Sequence, residues 1–312
     1  MKIGIDVGYG YTKVVYGDYM TKIFPSVVSR AKMLEGMQSN YGNYILEYEG
    51  NEIFVGDAAF KAGNKFIQTA FEGDRLASTV YKQLMLCGIA SCLPNDCDVE
   101  IVTGLPVNGF KMYRNNITDF KGRHFVKING KDIVLNIKDL KCIPQPIGTY
   151  IKLSKGHNEL LESNILIVDI GFKTTDLMLI DHDIPLPEST TINYGMSDIS
   201  RIVIDYVNSE TDSAYSINQA DEFIRHGYVK MGTRINLPNN ILKGAKEGLF
   251  NAIWNRVKEL YPQWQSLDQL IFTGGTSLML LDKIQSVPVA SIVLSSDTQM
   301  ANAIGYRDIL EG

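Results

Sequence analysis

The sequence predicts an α/β protein of two related domains around a shared cleft, and the prediction rests on three observations. At 312 residues the chain exceeds a typical single core and suits two domains of ordinary size. The stretch "DVGYGYTK" (residues 6–13) follows the apolar "MKIGI", and "DIGFKTTD" (residues 169–176) follows "ILIV". Both read aspartate, β-branched aliphatic, glycine, aromatic, two variable positions, threonine and a charged residue, and each interrupts a run of strand character.

The first half opens with "KIGIDV", an apolar run ending in Asp-Val-Gly, after which "YTKVVYGD" resumes β-branched character as strand, tight turn, strand. Residues 23–73 turn polar and rich in Gly, Asn and Tyr, which reads as a small, loop-rich β insertion. "STVYKQLMLCGIASCL" has helical spacing and stops before "PNDCD". "VEIVTGLPV" is a buried strand leaving through Gly-Leu-Pro, and "HFVKINGKDIVLNIKDL" is a hairpin turning at Asn129-Gly130. "CIPQPIGTYIKLSKG" places a proline-framed loop before a helix.

The second half starts again, since "NILIVDIGFKTTDLMLI" repeats strand-turn-strand and "HDIPLPESTTINYG" adds a strand. Residues 197–260 are mostly helical, with amphipathic runs such as "DISRIVIDYV" and "ILKGAKEGLFNAIWNRVKEL". "LDQLIFTGGTSLMLLDKI" reads as strand, glycine turn, helix, and "TQMANAIGYRDIL" as a closing helix. The expected first domain spans residues 1–149, with the insertion at about 23–73 and a C-terminal helix at about 298–312 packing back on it. The second spans 150–297, with a helical insertion at about 197–262.

Composition narrows the function classes. Hydrophobic residues make up 45% and charged residues 21%, as in soluble globular proteins. The longest apolar runs fall far short of the ~20 residues of a membrane span, and "MKIGIDVGYG" lacks a signal peptide's apolar core. The expected location is the cytoplasm, with no membrane partner. Net charge is −5 without a dense Lys/Arg block, which argues against direct, strong nucleic-acid binding. Cys87, Cys92 and Cys97 recur every five residues without a C-x-x-C pair, and Cys142 stands apart, so reduced, mostly buried thiols are expected rather than a metal site. His124, His157, His182 and His226 sit beside no nucleophile motif.

A strand ending in Asp-x-Gly offers a carboxylate at the sheet edge, then a backbone that a ligand can approach closely. Glycine at positions 8 and 10 removes side chains that would block a phosphate, and consecutive amides form an anion-binding concavity. Two such turns facing each other would clamp a polyphosphate. Asp6 and Asp169 would then hold a hydrated Mg²⁺, which takes a few carboxylates plus water and phosphate oxygens. Lys13 and the threonine hydroxyls reach the same oxygens. One such turn alone is an ordinary Asp-Gly hairpin; the second copy, with Gly274 and Gly275 between a strand and a helix where a base or ribose packs on bare backbone, shifts the reading to a nucleotide site.

At these residues the chain resembles the actin-like ATPases, a superfamily of ribonuclease H-like domain pairs that includes heat-shock chaperones and sugar kinases. "DVGYGYTK" looks like the first phosphate loop, "PQPIGTY" the first connecting helix, "DIGFKTTD" the second phosphate loop, "FTGGTSLML" the adenosine loop and "MANAIGY" the second connecting helix. The resemblance covers nearly the whole chain and is closest to bacterial plasmid-segregation actins of the ParM/StbA type. It implies two actin-like domains with the nucleotide in the cleft between them. It further implies magnesium-water ligation by Asp6 and Asp169, phosphate contacts from Gly8, Tyr9, Gly10 and Lys13, and a water-positioning Gln145. Gly171, Phe172, Lys173 and Thr174 stand in the second loop, where Phe172 and Lys173 depart from the small residues many relatives use. Gly195 matches the glycine before a helix near the nucleotide, Glu222 with Asp221 and Arg225 falls where relatives contact ribose and base, and Gly274, Gly275 and Thr276 form the adenosine loop.

What the resemblance implies is a Mg²⁺-dependent ATPase, using ATP or GTP, that polymerises head to tail and disassembles after hydrolysis. In the plasmid-segregation reading a DNA-binding adaptor is its second partner. The alternatives are a small-metabolite kinase and a non-filament ATPase switch on the same fold. A kinase needs a carboxylate base where Gln145 stands, a chaperone-like switch needs a peptide-binding domain for which nothing follows Gly312, and a cell-shape actin needs a membrane-binding start that "MKIGIDVG" lacks.

Overall fold

The computed structural model describes residues 1–30, 44–61, 67–69, 79–118, 120–211, 214–231, 233–287, 292–294 and 297–311. It divides into two compact units, Met1–Glu159 with Met300–Gly312, and Leu160–Gln299. The break falls after Glu159 rather than after Thr149, because residue 149 lies inside one continuous helix.

In the first unit, strands β1 (Lys2–Val7), β2 (Tyr11–Tyr16), β3 (Met20–Pro25), β4 (Val27–Arg30), β5 (Tyr44–Tyr48), β6 (Asn51–Val55), β7 (Ile67–Thr69), β8 (Cys97–Leu105), β9 (Gly122–Ile128) and β10 (Lys131–Pro144) form one sheet. Among the described residues its order is β3-β2-β1-β8-β10-β9-β5-β6-β4-β7. The described part of the polar stretch 23–73 therefore continues the main sheet instead of standing apart as an insertion, and residues 31–43, 62–66 and 70–73 lie outside the description. The helices are α1 (Asp57–Lys61), α2 (Thr79–Ala90), α3 (Val107–Thr118) and α4 (Gln145–Ser154). Nearly all of α2 is buried, as expected of a helix that is apolar on every face. Asn129 and Gly130 both take positive φ, the geometry a two-residue hairpin turn requires, so the β9–β10 hairpin turns where the sequence placed it.

No proline-framed loop precedes α4. β10 runs through Pro144, which is extended (φ −61°, ψ 135°) and caps the helix, and Pro146 sits in the first turn where its missing N–H is not needed. The C-terminal helix Ala301–Ile309 belongs to this unit and crosses α4 at Gly148 and Gly305; a Cβ at Gly305 would overlap the Gly148 carbonyl. Asn302 Oδ1 accepts from both the amide and the hydroxyl of Thr149, at 3.1 and 2.8 Å, which pins the crossing.

The second unit contains β11 (Asn164–Ile170), β12 (Thr175–Asp181), β13 (Ile184–Pro185), β14 (Thr190–Ile192), β17 (Gln269–Thr273) and β18 (Ile292–Leu294) in one sheet, ordered β13-β12-β11-β17-β18 with β14 also on β12. Helices α5 (Met196–Thr211), α6 (Ala220–His226) and α7 (Asn239–Leu260) fill the region read as helical, but a small hairpin, β15 (Tyr228–Met231) and β16 (Thr233–Asn236), interrupts it. The helix after the glycine turn is short: a 3₁₀ turn Ser277–Leu280, then α8 (Leu281–Ile284).

Five strands follow one plan in both units. β3-β2-β1 and β13-β12-β11 are antiparallel meanders, and β1-β8-β10 and β11-β17-β18 are parallel runs. The repeated octapeptide spans the same hairpin turn each time, with Asp6 opposite Lys13 and Asp169 opposite Asp176.

Candidate functional site

The candidate residues fall into two sets, one in each unit. In the first, the turn after β1 is closed by the Gly8 amide donating to the Tyr11 carbonyl at 3.1 Å. A Cβ at Gly8 would stand 2.8 Å from that same oxygen, so the turn itself demands glycine there and engages the Gly8 amide internally. The Gly10 carbonyl accepts from the Ser26 amide at 2.9 Å, and the Thr12 and Ser26 hydroxyls share a buried hydrogen bond. Ser26, a tie that the sequence did not reveal, fixes the far side of the turn. Tyr9 is half-buried beside it.

Asp6 is 2% exposed and holds two partners. Lys13 Nζ lies 2.8 Å from Oδ2, and Gln145 Nε2 donates to Oδ1 at 2.8 Å. Burying a carboxylate is costly unless it is paired and hydrogen-bonded, and here both oxygens are satisfied. Gln145 is the first residue of α4, and Tyr306 of the C-terminal helix donates its hydroxyl to the Gln145 carbonyl at 3.3 Å. Asn302 and Tyr306, four residues apart on one helix face, thus hold the helix that presents Gln145.

In the second unit the matching turn is closed in the same way, Gly171 N–H to the Thr174 carbonyl at 2.9 Å. It is then braced through its backbone. The Gly171 carbonyl accepts from the Met196 amide at 3.1 Å and from the Thr276 hydroxyl at 2.8 Å, and the Phe172 carbonyl accepts from the Ser197 amide at 2.6 Å. The Thr276 amide reaches Ile170 O at 3.2 Å. The start of α5 and the Gly274–Thr276 turn therefore clasp this loop from two directions. Gly195 is a packing glycine, since a Cβ there would lie 2.6 Å from Phe172 O, and its amide donates to Asp198 Oδ2 at 3.0 Å, half of a capping box. An aspartate three residues past a helix-starting glycine is a signal the sequence offered.

Gly274 has φ +86°, and a Cβ there would come within 2.5 Å of Asp169 Oδ1. Asp169 is 7% exposed and sits directly against this bare backbone. Gly275 is exposed, with room for a Cβ at ordinary contact distance from Gln299. Phe172 packs against the unit's apolar core, while Lys173 and Thr174 are half-buried on the turn. Glu222 stands exposed on α6, outside these contacts, and its neighbours Asp221 and Arg225 form an exposed ion pair at 2.7 Å.

Among the described residues no three His, Cys, Asp or Glu side chains gather to hold a metal ion. All four cysteines are free; burial pushes the thiols of Cys92 and Cys142 up to about 11 and about 12, and Cys87 in the same direction, so these three stay protonated.

Two sheets of one plan, each delivering an aspartate into a glycine turn at the same register, define an actin-like α/β architecture. Comparison with known proteins agrees: residues 4–148 match the family "Actin like proteins N terminal domain", and residues 167–286 match "Archaeal actin homologue MreB-like, C-terminal". The chain belongs to the actin-like proteins. It is similar to an archaeal actin homolog of Thermoplasma acidophilum, 26% identical over 325 residues that span 99% of this chain and 98% of that protein. Among solved structures, a complex of an archaeal actin homolog with ADP superposes with a TM-score of 0.83 at 24% identity, covering 99% of each chain. A subunit of a 15-stranded ParM filament from Clostridium botulinum gives 0.81 at 25%, covering 99% of this chain and 98% of that one. No helix among the described residues is long and apolar enough to cross a membrane.

Proposed function

We propose that this protein is an actin-like ATPase that assembles into filaments with ATP and Mg²⁺ and comes apart after hydrolysis. The observation that carries the reading is the Gln145–Asp6–Lys13 constellation, a neutral amide held 2.8 Å from a buried carboxylate beside a glycine turn. A glutamine is no strong base, but it orients water for in-line attack on a terminal phosphate, a recognised device in phosphoryl transfer. In this reading each turn would contact phosphate. Asp6 and Asp169 would each serve magnesium through a bound water, Lys13 would serve the phosphates, and the base would lie on Gly274-Gly275. Tyr9, Gly10, Phe172, Lys173 and Thr174 line the phosphates, and Glu222 approaches the ribose.

The ADP complex of one fold relative and the filament formed by another support the reading for nucleotide and for self-assembly in turn. Assembly is head to tail, because such contacts need not close and so propagate as an open filament. The segregation of plasmid DNA through a DNA-binding adaptor completes the proposal, the chain's own net charge of −5 being unsuited to binding DNA directly.

Light scattering recorded beside phosphate release tests this. Wild type should scatter after ATP and Mg²⁺ are added and decay as ATP runs out. Gln145→Ala should bind ATP, hydrolyse it ~10²-fold more slowly and form filaments that persist, since binding rather than hydrolysis favours assembly. A kinase would give no ATP-dependent scattering and pass phosphate to a small acceptor. Absence of scattering from both proteins at roughly tens of micromolar would end the filament reading.

A further inference from the structure

The bare-backbone turn of the second unit has a wall that neither the motif nor the family resemblance names. Gly275 is exposed, and the atoms nearest the space above its Cα are Cγ, Cδ and Nε2 of Gln299, at 3.5, 3.7 and 3.8 Å from an idealised Cβ. Gln299 is half-buried and anchored by its neighbour: the Thr298 carbonyl accepts from the Gly274 amide at 3.2 Å and from the Thr273 hydroxyl at 3.4 Å. The glutamine is thus carried by the same hydrogen bonds that shape the glycine turn. A few residues on, Leu278 is 52% exposed, an apolar side chain left in solvent on the same loop. A floor without side chains, an exposed apolar neighbour and one adjacent amide together suit an aromatic ligand with a polar edge.

We propose that Gln299 is a specificity-determining residue, whose amide reads the edge of the purine lying on Gly275 and selects adenine over guanine. The inference rests on the nucleotide reading above. An amide offers one acceptor and one donor side by side. Adenine presents a matching pair, its exocyclic amine donating to Oε1 while the adjacent ring nitrogen N7 accepts from Nε2. Guanine presents two acceptors, O6 and N7, at the same edge, so one would stand against the glutamine oxygen. A lysine at this place would donate to both of them.

The test is a competition titration of fluorescent ATP and GTP analogues against the full chain, in wild type, Gln299→Ala and Gln299→Lys, with circular dichroism as a check on folding. Wild type should prefer ATP by about tenfold or more, the usual discrimination of a bidentate amide contact. Gln299→Ala should bring the two affinities together, and Gln299→Lys should tilt them toward GTP. Replacing N7 by carbon in 7-deaza-ATP should weaken binding to wild type and leave Gln299→Ala unmoved. An ATP-to-GTP ratio that is the same in wild type and Gln299→Ala, or a 7-deaza penalty that survives the substitution, would overturn the assignment. If wild type bound neither nucleotide, the nucleotide reading itself would fall first.

Discussion

Asp6 and Asp169 stand at the same register of two matching hairpins, one opposite Lys13 and the other opposite Asp176. Cross-strand partners share a sheet face, so the first turn sets opposite charges together and the second sets like charges together. The first aspartate is paired within its own unit, with Lys13 as its cation and Gln145 as a hydrogen-bond donor. In the second, Asp176 accepts a hydrogen bond from the Thr191 hydroxyl and Asp169 lies against the bare turn at Gly274. Both turns are closed by the same backbone hydrogen bond; the first is tied further through the side chains of Lys13, Gln145, Thr12 and Ser26, and the second through carbonyls braced from α5 and from Thr276. One octapeptide has been fixed in two ways, and substitutions should reveal which is which.

The largest stability effect is expected at Lys13. Lys13→Met leaves the carboxylate of Asp6, with a side chain 3% exposed, without its cation, which costs about 3 kcal/mol or more in denaturant unfolding. A loss below about 1 kcal/mol would mean that Gln145 and water suffice for Asp6, and the contrast between the turns would be weaker than drawn. Next comes Asp169→Ala, which removes a carboxylate whose cross-strand partner is Asp176 rather than a lysine. Mg²⁺-dependent phosphate release should fall by roughly 10²-fold with the circular dichroism spectrum unchanged, and wild-type turnover would sink the two-carboxylate arrangement.

Gly274→Ala sharpens the comparison from the backbone side. Its φ of +86° and the overlap with Ile170 O and Asp169 Oδ1 predict a loss of about 2 kcal/mol. A neutral thermal shift would show the turn to be more yielding than its hydrogen bonds suggest. The smallest effect on folding belongs to Gly275→Val, within about 0.5 kcal/mol, because the position is exposed and the atoms nearest a new Cβ belong to the side chain of Gln299, which can give way. Nucleotide affinity should nevertheless drop, and an unchanged fluorescent-nucleotide titration would remove this glycine from the base floor.

The sequence by itself determined the local grammar. Asp-x-Gly between β-branched runs specified both strand-turn-strand hairpins, Asn129-Gly130 specified the β9–β10 turn, and the glycine pair 274–275 specified the break after β17, because each is a matter of backbone freedom and residue period within a few positions. It also placed Asp6, Lys13 and Asp169 on the strand ends that flank those turns. What tertiary structure alone decided involves partners far apart in the chain. Gln145 meets Asp6 across 139 positions, and Asn302 meets Thr149 across 153. The polar strands after β4 joined the main sheet because pairing along its edge satisfies backbone groups that local propensity leaves undecided. Gly195 and Thr276, expected to serve a ligand, also make contacts within the turn, and Gln299, which no motif marked, came to lie beside Gly275. Period and turn chemistry reach a few residues along the chain; which side chain closes over which turn is set by packing between elements, and that is settled only when the whole unit has folded.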